Sequence, residues 1–171
     1  MFTDADLEYL SSEFVELRGL CAAAGRDIDE VRRAIAQRLS PAPPYPGVEY
    51  MPANYFQLPD AEEFRRTFTG DHPAENLTAY LDGTYFVCLR NATVENIARK
   101  GELVDEIRAL RFSPRPDDAT WRVQLHSRVD ELDRLERPFS PDFDRSRFGR
   151  PVTRDELIED SRRLYPLDTA A

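Results

Sequence analysis

The stretch that decides the fold is DATWRVQLHSRVDELDRLERP, residues 118–138. Its large apolar residues recur every three or four positions, which places them on one face of an α-helix. That face consists of Trp121, Leu125, Val129, Leu132 and Leu135. Asp118 is a suitable N-cap for this helix, and Pro138 ends it. A stripe of four turns is typical of a core helix, so the sequence predicts a helical fold built around this segment.

Two predicted helices open the chain. Apolar residues at helical spacing predict a first helix over residues 4–24. Gly25 ends it, because glycine readily adopts the left-handed conformation of a helix C-terminus. Asp27 and Glu30 have the spacing of a capping box, which predicts a second helix that runs to Leu39. The two helices therefore meet at a turn of about three residues.

A proline-rich break follows the second helix. Four prolines within residues 40–47 remove amide donors and disfavour helical geometry, and residues 48–56 are predicted as a short strand or hairpin arm. The predicted fold class is mainly α. An N-terminal helix-turn-helix-like subdomain over residues 1–58, with the short hairpin, packs on a C-terminal helical bundle over residues 59–171, and the two form one unit.

The remaining helices follow from the same periodicity. They are predicted over residues 60–68, 73–82, 94–110 and 153–166. Gly101 is expected to kink or break the third of these, and Thr153 with Glu156 forms a capping box that opens the last. The apolar pentad 85–89 is too short to distinguish a helix from a strand, with helix favoured, and residues 140–151 are predicted as an irregular loop.

The composition excludes several classes of protein. The chain has 171 residues, and no apolar run approaches the roughly 18 residues of a membrane helix. Its first residues are acidic where a signal peptide is basic, so a cytoplasmic protein is expected. Cys21 and Cys88 are too few for a disulfide scaffold, and their apolar neighbours predict buried, unreactive thiols. Neither His72 nor His126 belongs to a ligand pattern, so no metal site is predicted.

Charge and glycine patterns exclude two further classes of ligand. The formal net charge is −9, and residues 1–58 carry 5 arginines against 9 carboxylates. Nucleic-acid binding draws most of its affinity from a basic surface, so nucleic acid is not an expected partner. No glycine-rich phosphate loop is present, and no cofactor is predicted. Of the 23 basic residues only Lys100 is lysine, which is typical of codon usage in a GC-rich genome.

The N-terminal segment carries a resemblance to a known DNA-binding motif. A helix, the Gly25 turn, a second helix and the later strings GVEY (47–50) and PANYF (52–56) resemble a winged helix-turn-helix of the MerR or excisionase type. The resemblance implies that Arg32, Arg33 and Gln37, on the second helix, would face the DNA groove. The negative charge of the segment argues against DNA binding.

A wider resemblance covers most of the chain. It is carried by LCAAAGR (20–26), YF (55–56), VCLR (87–90), ATVENI (92–97), PF (138–139), FDR (143–145) and FG (148–149). These segments resemble an uncharacterised bacterial family described as natural-product biosynthesis proteins. The resemblance implies a setting in secondary metabolism and brings no established reaction.

Two groups of residues are candidate binding sites. In the segment 142–155, Arg145 and Arg147 are suited to bind an anion or a carboxylate, with Asp144 orienting one guanidinium and Phe143 and Phe148 as buried anchors. The alternative is a structural connection held by Asp–Arg bridges.

The second group would line a cleft between the subdomains and consists of Tyr45, Tyr50, Asn54 and Tyr55 with Arg90. A purely structural role is the alternative here as well.

The predicted function is that of a small cytoplasmic protein of a natural-product pathway. It would bind a small-molecule intermediate and catalyse a cofactor-independent cyclisation or isomerisation, although the sequence does not decide whether it is an enzyme. A larger pathway enzyme or a second copy of the chain are the other expected partners. The alternative is a helix-turn-helix regulator or a protein–protein adaptor without catalysis.

Overall fold

The computed structural model describes residues 1–149 and 151–167, and the chain is mainly helical, as predicted. The helices are α1 (Asp4–Glu13), α2 (Leu17–Ala24), α3 (Ile28–Ala36), α4 (Ala61–Thr67), α5 (Pro73–Leu81), α6 (Thr84–Cys88), α7 (Val94–Phe112), α8 (Ala119–Leu135), α9 (Phe143–Phe148) and α10 (Asp160–Leu164). A 3-10 helix spans Tyr55–Gln57 and a π-helical segment spans Arg154–Glu159. The strands are β1 (Val15–Glu16) and β2 (Tyr50–Met51).

The predicted first helix over residues 4–24 is in fact two helices. Phe14 adopts an extended backbone conformation after α1, and the next two residues form β1. This strand pairs antiparallel with β2, and the amide of Leu17 donates a 2.8 Å hydrogen bond to the Glu49 carbonyl. The expected short two-stranded element is therefore present, but its partner strand lies at residues 15–16, a long-range pairing that helical periodicity does not reveal.

The turn between α2 and α3 forms as predicted. Gly25 ends α2 in the left-handed conformation, with φ of 63°. The Asp27 side chain accepts hydrogen bonds from the amides of Asp29 and Glu30 and so caps α3. In contrast, the expected kink at Gly101 is wrong. The helix α7 continues through this exposed glycine, because an isolated glycine is tolerated within a long helix.

Among the described residues, the buried apolar side chains form two clusters. One contains Leu103 and Ile107 of α7, the predicted stripe of α8 from Trp121 to Leu132, and Leu157 with Ile158. Leu135, the last member of that stripe, is half-buried. The other cluster extends from Leu10 in α1 to Ile97 in α7. None of the helices in the described part of the chain is both long and apolar enough to cross a bilayer.

The predicted irregular loop over residues 140–151 contains the helix α9. The buried Asp6 carboxylate accepts hydrogen bonds from the amides of Asp142 and Phe143, so a side chain of α1 satisfies the free donors at the start of this helix. The Ser140 hydroxyl accepts a further bond from the Asp144 amide. Residue 150, in the predicted loop, and residues 168–171, in the predicted C-terminal subdomain, lie outside the described residues.

The predicted capping box of Thr153 and Glu156 does not form. Thr153 already has helical backbone angles, and its side chain makes no capping hydrogen bond. Instead, the Val152 amide donates to Asp155, 3.2 Å away, and the chain continues as the π-helical segment. Asp155 also binds Arg145, so a tertiary ion pair determines how this helix begins.

Candidate ligand-binding site

A cavity of about 400 Å³ lies between α6, α7 and the chain segment that follows α8. Its lining combines cationic, acidic and aromatic side chains with one cysteine. The polar and sulfur-bearing members are Thr84, Cys88, Lys100, Arg108, Glu136, Arg137, Thr153, Arg154 and Glu156, and the apolar members are Phe139, Phe148, Pro151 and Val152. An apolar pocket with a few convergent polar groups is the usual form of a small-molecule site.

The only lysine of the chain, Lys100, is mostly buried in the lining of this cavity. Lys100 Nζ lies 3.1 Å from Glu136 Oε1, and the two side chains are only 14% and 4% exposed. Burial alone lowers the pKa of Lys100, but the Cys88 sulfur and the Glu136 carboxylate outweigh it, so the pKa lies above its ordinary value. At neutral pH the cavity therefore contains an ammonium group that is poorly hydrated and retains hydrogen-bond donors.

A chain of ion pairs connects this lysine to the C-terminal helices. Arg154 Nε lies 3.8 Å from Glu136 Oε2, and Arg154 Nη1 lies 2.7 Å from Asp133 Oδ1. Asp133 also pairs with Arg162 at 2.9 Å. Burial raises the pKa of Asp133, but hydrogen bonds from the two arginines outweigh it and hold the pKa below its usual range. The network fixes the π-helical segment and α10 against the end of α8.

Arg108 supplies an exposed cation to the same cavity. It also lines two neighbouring cavities of about 490 and 410 Å³, so the three cavities adjoin each other at this side chain. Within residues 1–149 and 151–167 it forms no ion pair. Arg137, by contrast, is engaged by Glu13 at 2.6 Å and lies over the Phe14 ring. Arg108 therefore has hydrogen-bonding capacity to offer a ligand.

The apolar wall of the cavity contains two aromatic rings. Phe139 and Phe148 have ring centroids 5.6 Å apart. The Arg145 guanidinium lies over Phe139 and forms a two-pronged ion pair with Asp155 at 2.7 and 2.8 Å. The Arg147 guanidinium lies over Phe148 and donates to the Pro44 carbonyl at 2.6 Å. Both arginines therefore support the aromatic wall from outside the cavity.

The first group of predicted site residues, in the segment 142–155, is not gathered around this cavity. Arg145 and Arg147 do not line the cavity, and their role in binding an anion stays a prediction. The Asp144 carboxylate accepts hydrogen bonds from the Tyr45 hydroxyl and the Ser140 amide, and the expectation that it orients a guanidinium stays a prediction. Phe148, expected as a buried anchor, is 38% exposed.

The second group is not gathered around one cavity. Tyr55 lines a space of about 500 Å³ between α3 and α4, and its hydroxyl donates to the Pro41 carbonyl. Burial raises the pKa of this tyrosine. Tyr50 lies in β2 and Arg90 is exposed, and neither lines that space. Their role in binding stays a prediction.

Of the three residues expected to face DNA, one already binds a carboxylate of the protein itself. Arg32 is held by Glu49 through two hydrogen bonds of 2.9 and 2.7 Å, so its guanidinium is already engaged. Arg33 and Gln37 are exposed. This arrangement offers no support for the DNA-binding interpretation.

The two cysteines and the two histidines differ in how far they are buried. Cys21 is buried as predicted, whereas Cys88 is half-buried in the cavity lining. Burial raises the pKa of both thiols, which makes them poor nucleophiles. His126 is buried, with Nε2 2.6 Å from the Tyr165 carbonyl oxygen, and His72 is exposed. No group of three or more potential metal ligands occurs among the residues that the structure describes.

Comparison with protein families places the chain in one of them. Residues 50–166 match the model of a family of unknown function, DUF6058. The chain belongs to the DUF6058 family. The match includes the whole cavity lining of this DUF6058 protein, from Thr84 to Glu156. No curated protein and no solved structure shows detectable similarity to the chain.

The central residues of the cavity, Lys100 and Glu136, are absent from the predicted sites. A signal for both exists in the sequence. Lys100 lies three residues after Ile97 and four before Val104, within the apolar face of α7. Glu136 lies four residues after Leu132, in register with the stripe of α8. A charged residue at an apolar position of a helix is the pattern that indicates a buried charge.

Replacing Arg145 by alanine tests whether this residue is structural. The change is expected to lower the free energy of unfolding by about 1–3 kcal/mol, because it breaks the mostly buried pair with Asp155 and removes the support behind Phe139. Urea unfolding measures the effect, and Arg65→Ala, an exposed arginine in α4, is the control. A stable Arg145→Ala variant with a selective loss of ligand binding would instead favour the predicted anion site.

Proposed function

We propose that the cavity binds a small organic anion. Its apolar or aromatic part would lie against Phe139 and Phe148, and its anionic group would approach Lys100 and Arg108. The observation that carries the proposal is the buried ammonium of Lys100 in a cavity with an aromatic wall. Ammonium and guanidinium groups are the usual donors to carboxylate and phosphate oxygens.

The energetics of the ion pair support a functional role. Removing two charges from water costs several kcal/mol per ion, and the attraction between them only partly offsets this cost. Two apolar side chains of similar size would fill the same space without this desolvation cost. Ionisable groups that are both buried and located in a cleft therefore favour a binding or catalytic site. Arg108, which has no ion pair among the residues that the structure describes, adds a second donor at the same cavity.

The proposed setting is a natural-product pathway, and the proposed ligand is one of its intermediates. For a cofactor-independent cyclisation or isomerisation, Glu136 is the carboxylate positioned to accept a proton. Lys100 would stabilise the negative charge that develops on a carbonyl oxygen. Location in the cytoplasm and catalysis both remain predictions of the sequence.

The test of this proposal compares carboxylic acids with their neutral amides, and a variant of Arg108 with a variant of Arg65. Titration calorimetry with aromatic carboxylic acids and their neutral amides should show binding of the acids alone. Arg108→Ala is expected to weaken binding about tenfold, the effect of losing about 1.4 kcal/mol of interaction. Arg65→Ala should leave affinity unchanged, because this arginine lies outside the cavity. Equal affinity for acids and amides, or unaltered affinity in Arg108→Ala, would contradict the proposal.

A further inference from the structure

The C-terminal end of α7 carries an unusual surface. Residues 107–116 contain three arginines and no carboxylate, in a chain whose net charge is −9. Between them, Phe112 is 89% exposed. We call Arg108, Arg111 and Phe112, together with Arg115 three residues further along the chain, the arginine surface. The first three lie at positions i, i+3 and i+4, so they share one face of the helix.

The arginine surface is next to the proposed binding cavity. Arg108, Arg111 and Phe112 line the neighbouring cavity of about 410 Å³, together with Glu156 and Asp160. Arg108 and Glu156 line the ligand cavity as well. A molecule seated on this surface would therefore lie at the mouth of the ligand cavity.

The arginines of this surface form no ion pair with the carboxylates of the described residues, although Glu156 and Asp160 line the same small cavity. Arg108 and Arg115 form no ion pair within the described part of the chain. Arg111 donates to the Glu156 backbone carbonyl and forms no ion pair with a carboxylate within residues 1–149 and 151–167. Asp160, on the opposite side of the small cavity, is paired with Arg163 at 2.6 Å.

Helix stability explains only part of this arrangement. Cations in the last turn interact favourably with the partial negative charge of a helix C-terminus, which accounts for Arg111. It does not account for a nearly fully exposed phenylalanine between arginines. Aromatic residues and arginine are the types enriched where proteins bind each other, with the aromatic ring as an anchor.

We propose that the arginine surface docks an acidic helix of a partner protein that exchanges the organic anion with the cavity. The proposal rests on the proposed function of that cavity. Carboxylates of the partner would pair with the arginines, and an apolar side chain would cover Phe112. An acidic partner is repelled by the negative charge of the rest of the molecule, so charge directs it to this surface.

The probe for this surface is an amphipathic helical peptide made of glutamate and leucine, labelled with an uncharged dye that contains no carboxylate and so does not resemble the proposed ligand of the cavity. Fluorescence anisotropy at low salt should show binding, and a matched peptide with glutamine in place of glutamate should bind at least tenfold more weakly. Phe112→Ser and Arg115→Glu should each weaken binding of the acidic peptide at least tenfold. Two control changes, Leu39→Ser and Arg65→Glu, alter an exposed apolar residue and an exposed arginine elsewhere.

The outcomes separate the two proposals. Absence of binding at low salt, or binding unaffected by both Phe112→Ser and Arg115→Glu, would overturn the docking surface. A Phe112-dependent dimer in analytical ultracentrifugation would also overturn it, since a second copy would then cover the surface. Phe112→Ser is expected to bind aromatic carboxylates normally. If the wild-type protein binds no organic anion, the function proposed for the cavity fails, whatever the peptide does.

Discussion

Replacing Asp6 by alanine is expected to lower the free energy of unfolding by about 3–5 kcal/mol. Asp6 is fully buried, and its carboxylate accepts hydrogen bonds from the amides of Thr3, Asp142 and Phe143 at 2.9–3.1 Å. Without the carboxylate, these donors lose their acceptor, and two of them begin the segment that contains α9. Urea unfolding at neutral pH measures the loss. Asp4→Ala, an exposed acid in the same helical turn, is the control and should change stability by less than about 1 kcal/mol.

The contribution of Asp6 is also expected to depend on pH. Burial on its own raises the pKa of Asp6, but hydrogen bonds from Thr3, Phe143 and Asp142 outweigh it and hold the pKa well below its ordinary value of 3.8. The stabilisation is therefore fully present above about pH 4, where the unfolded-state carboxyl is ionised. It is lost as the pH falls toward the folded-state pKa. The stability difference between wild type and Asp6→Asn should narrow below pH 4, and a difference independent of pH would contradict this explanation.

The hydrogen bonds of Asp6 illustrate which features of the fold can be predicted from the sequence and which cannot. Gly25 and Asp27 act within four residues of their own positions, and their roles as a helix end and a cap follow from local spacing. The Asp6 carboxylate acts on amides 136 and 137 residues away. In the sequence, an acid in the first turn of a helix is adequately explained by the helix dipole. The helix α9 was therefore not predictable from its own residues, because a distant side chain completes its N-terminus.

The same distinction applies to the candidate site. The apolar stripe of α8 is periodic and was predicted. The charged residues Lys100 and Glu136, in contrast, belong to no repeating sequence pattern. The scarcity of lysine has an ordinary explanation in codon usage, so Lys100 alone does not indicate a site. Glu136 lies beyond the last leucine of the stripe, where a helix end is often polar. Only the packing of α7 against α8 brings the two side chains within 3.1 Å. Arg145 and Arg147 attract attention in the sequence because they are clustered, yet they contact the aromatic wall from outside.

Replacing Glu136 by glutamine is expected to lower the free energy of unfolding by about 3–5 kcal/mol, because it leaves a buried ammonium without its carboxylate. The substitution also removes one of the two groups that hold the pKa of Lys100 above its ordinary value, so the pKa of Lys100 should fall relative to wild type. The loss of stability should consequently be smaller at high pH than at neutral pH. Glu102→Gln, an exposed acid on α7, is the matched control.

A double variant separates stability from function. Lys100→Met with Glu136→Leu replaces the ion pair by apolar side chains of similar size, and such replacements of buried pairs are often neutral or stabilising. We expect most of the stability lost in Glu136→Gln to return, because no unpaired charge remains and Arg154 keeps its partner Asp133. Binding of aromatic carboxylates should nevertheless be lost, since the ammonium is gone. A double variant that is stable and still binds the acids would show that the ion pair serves the fold alone and that Arg108 binds the anion without it.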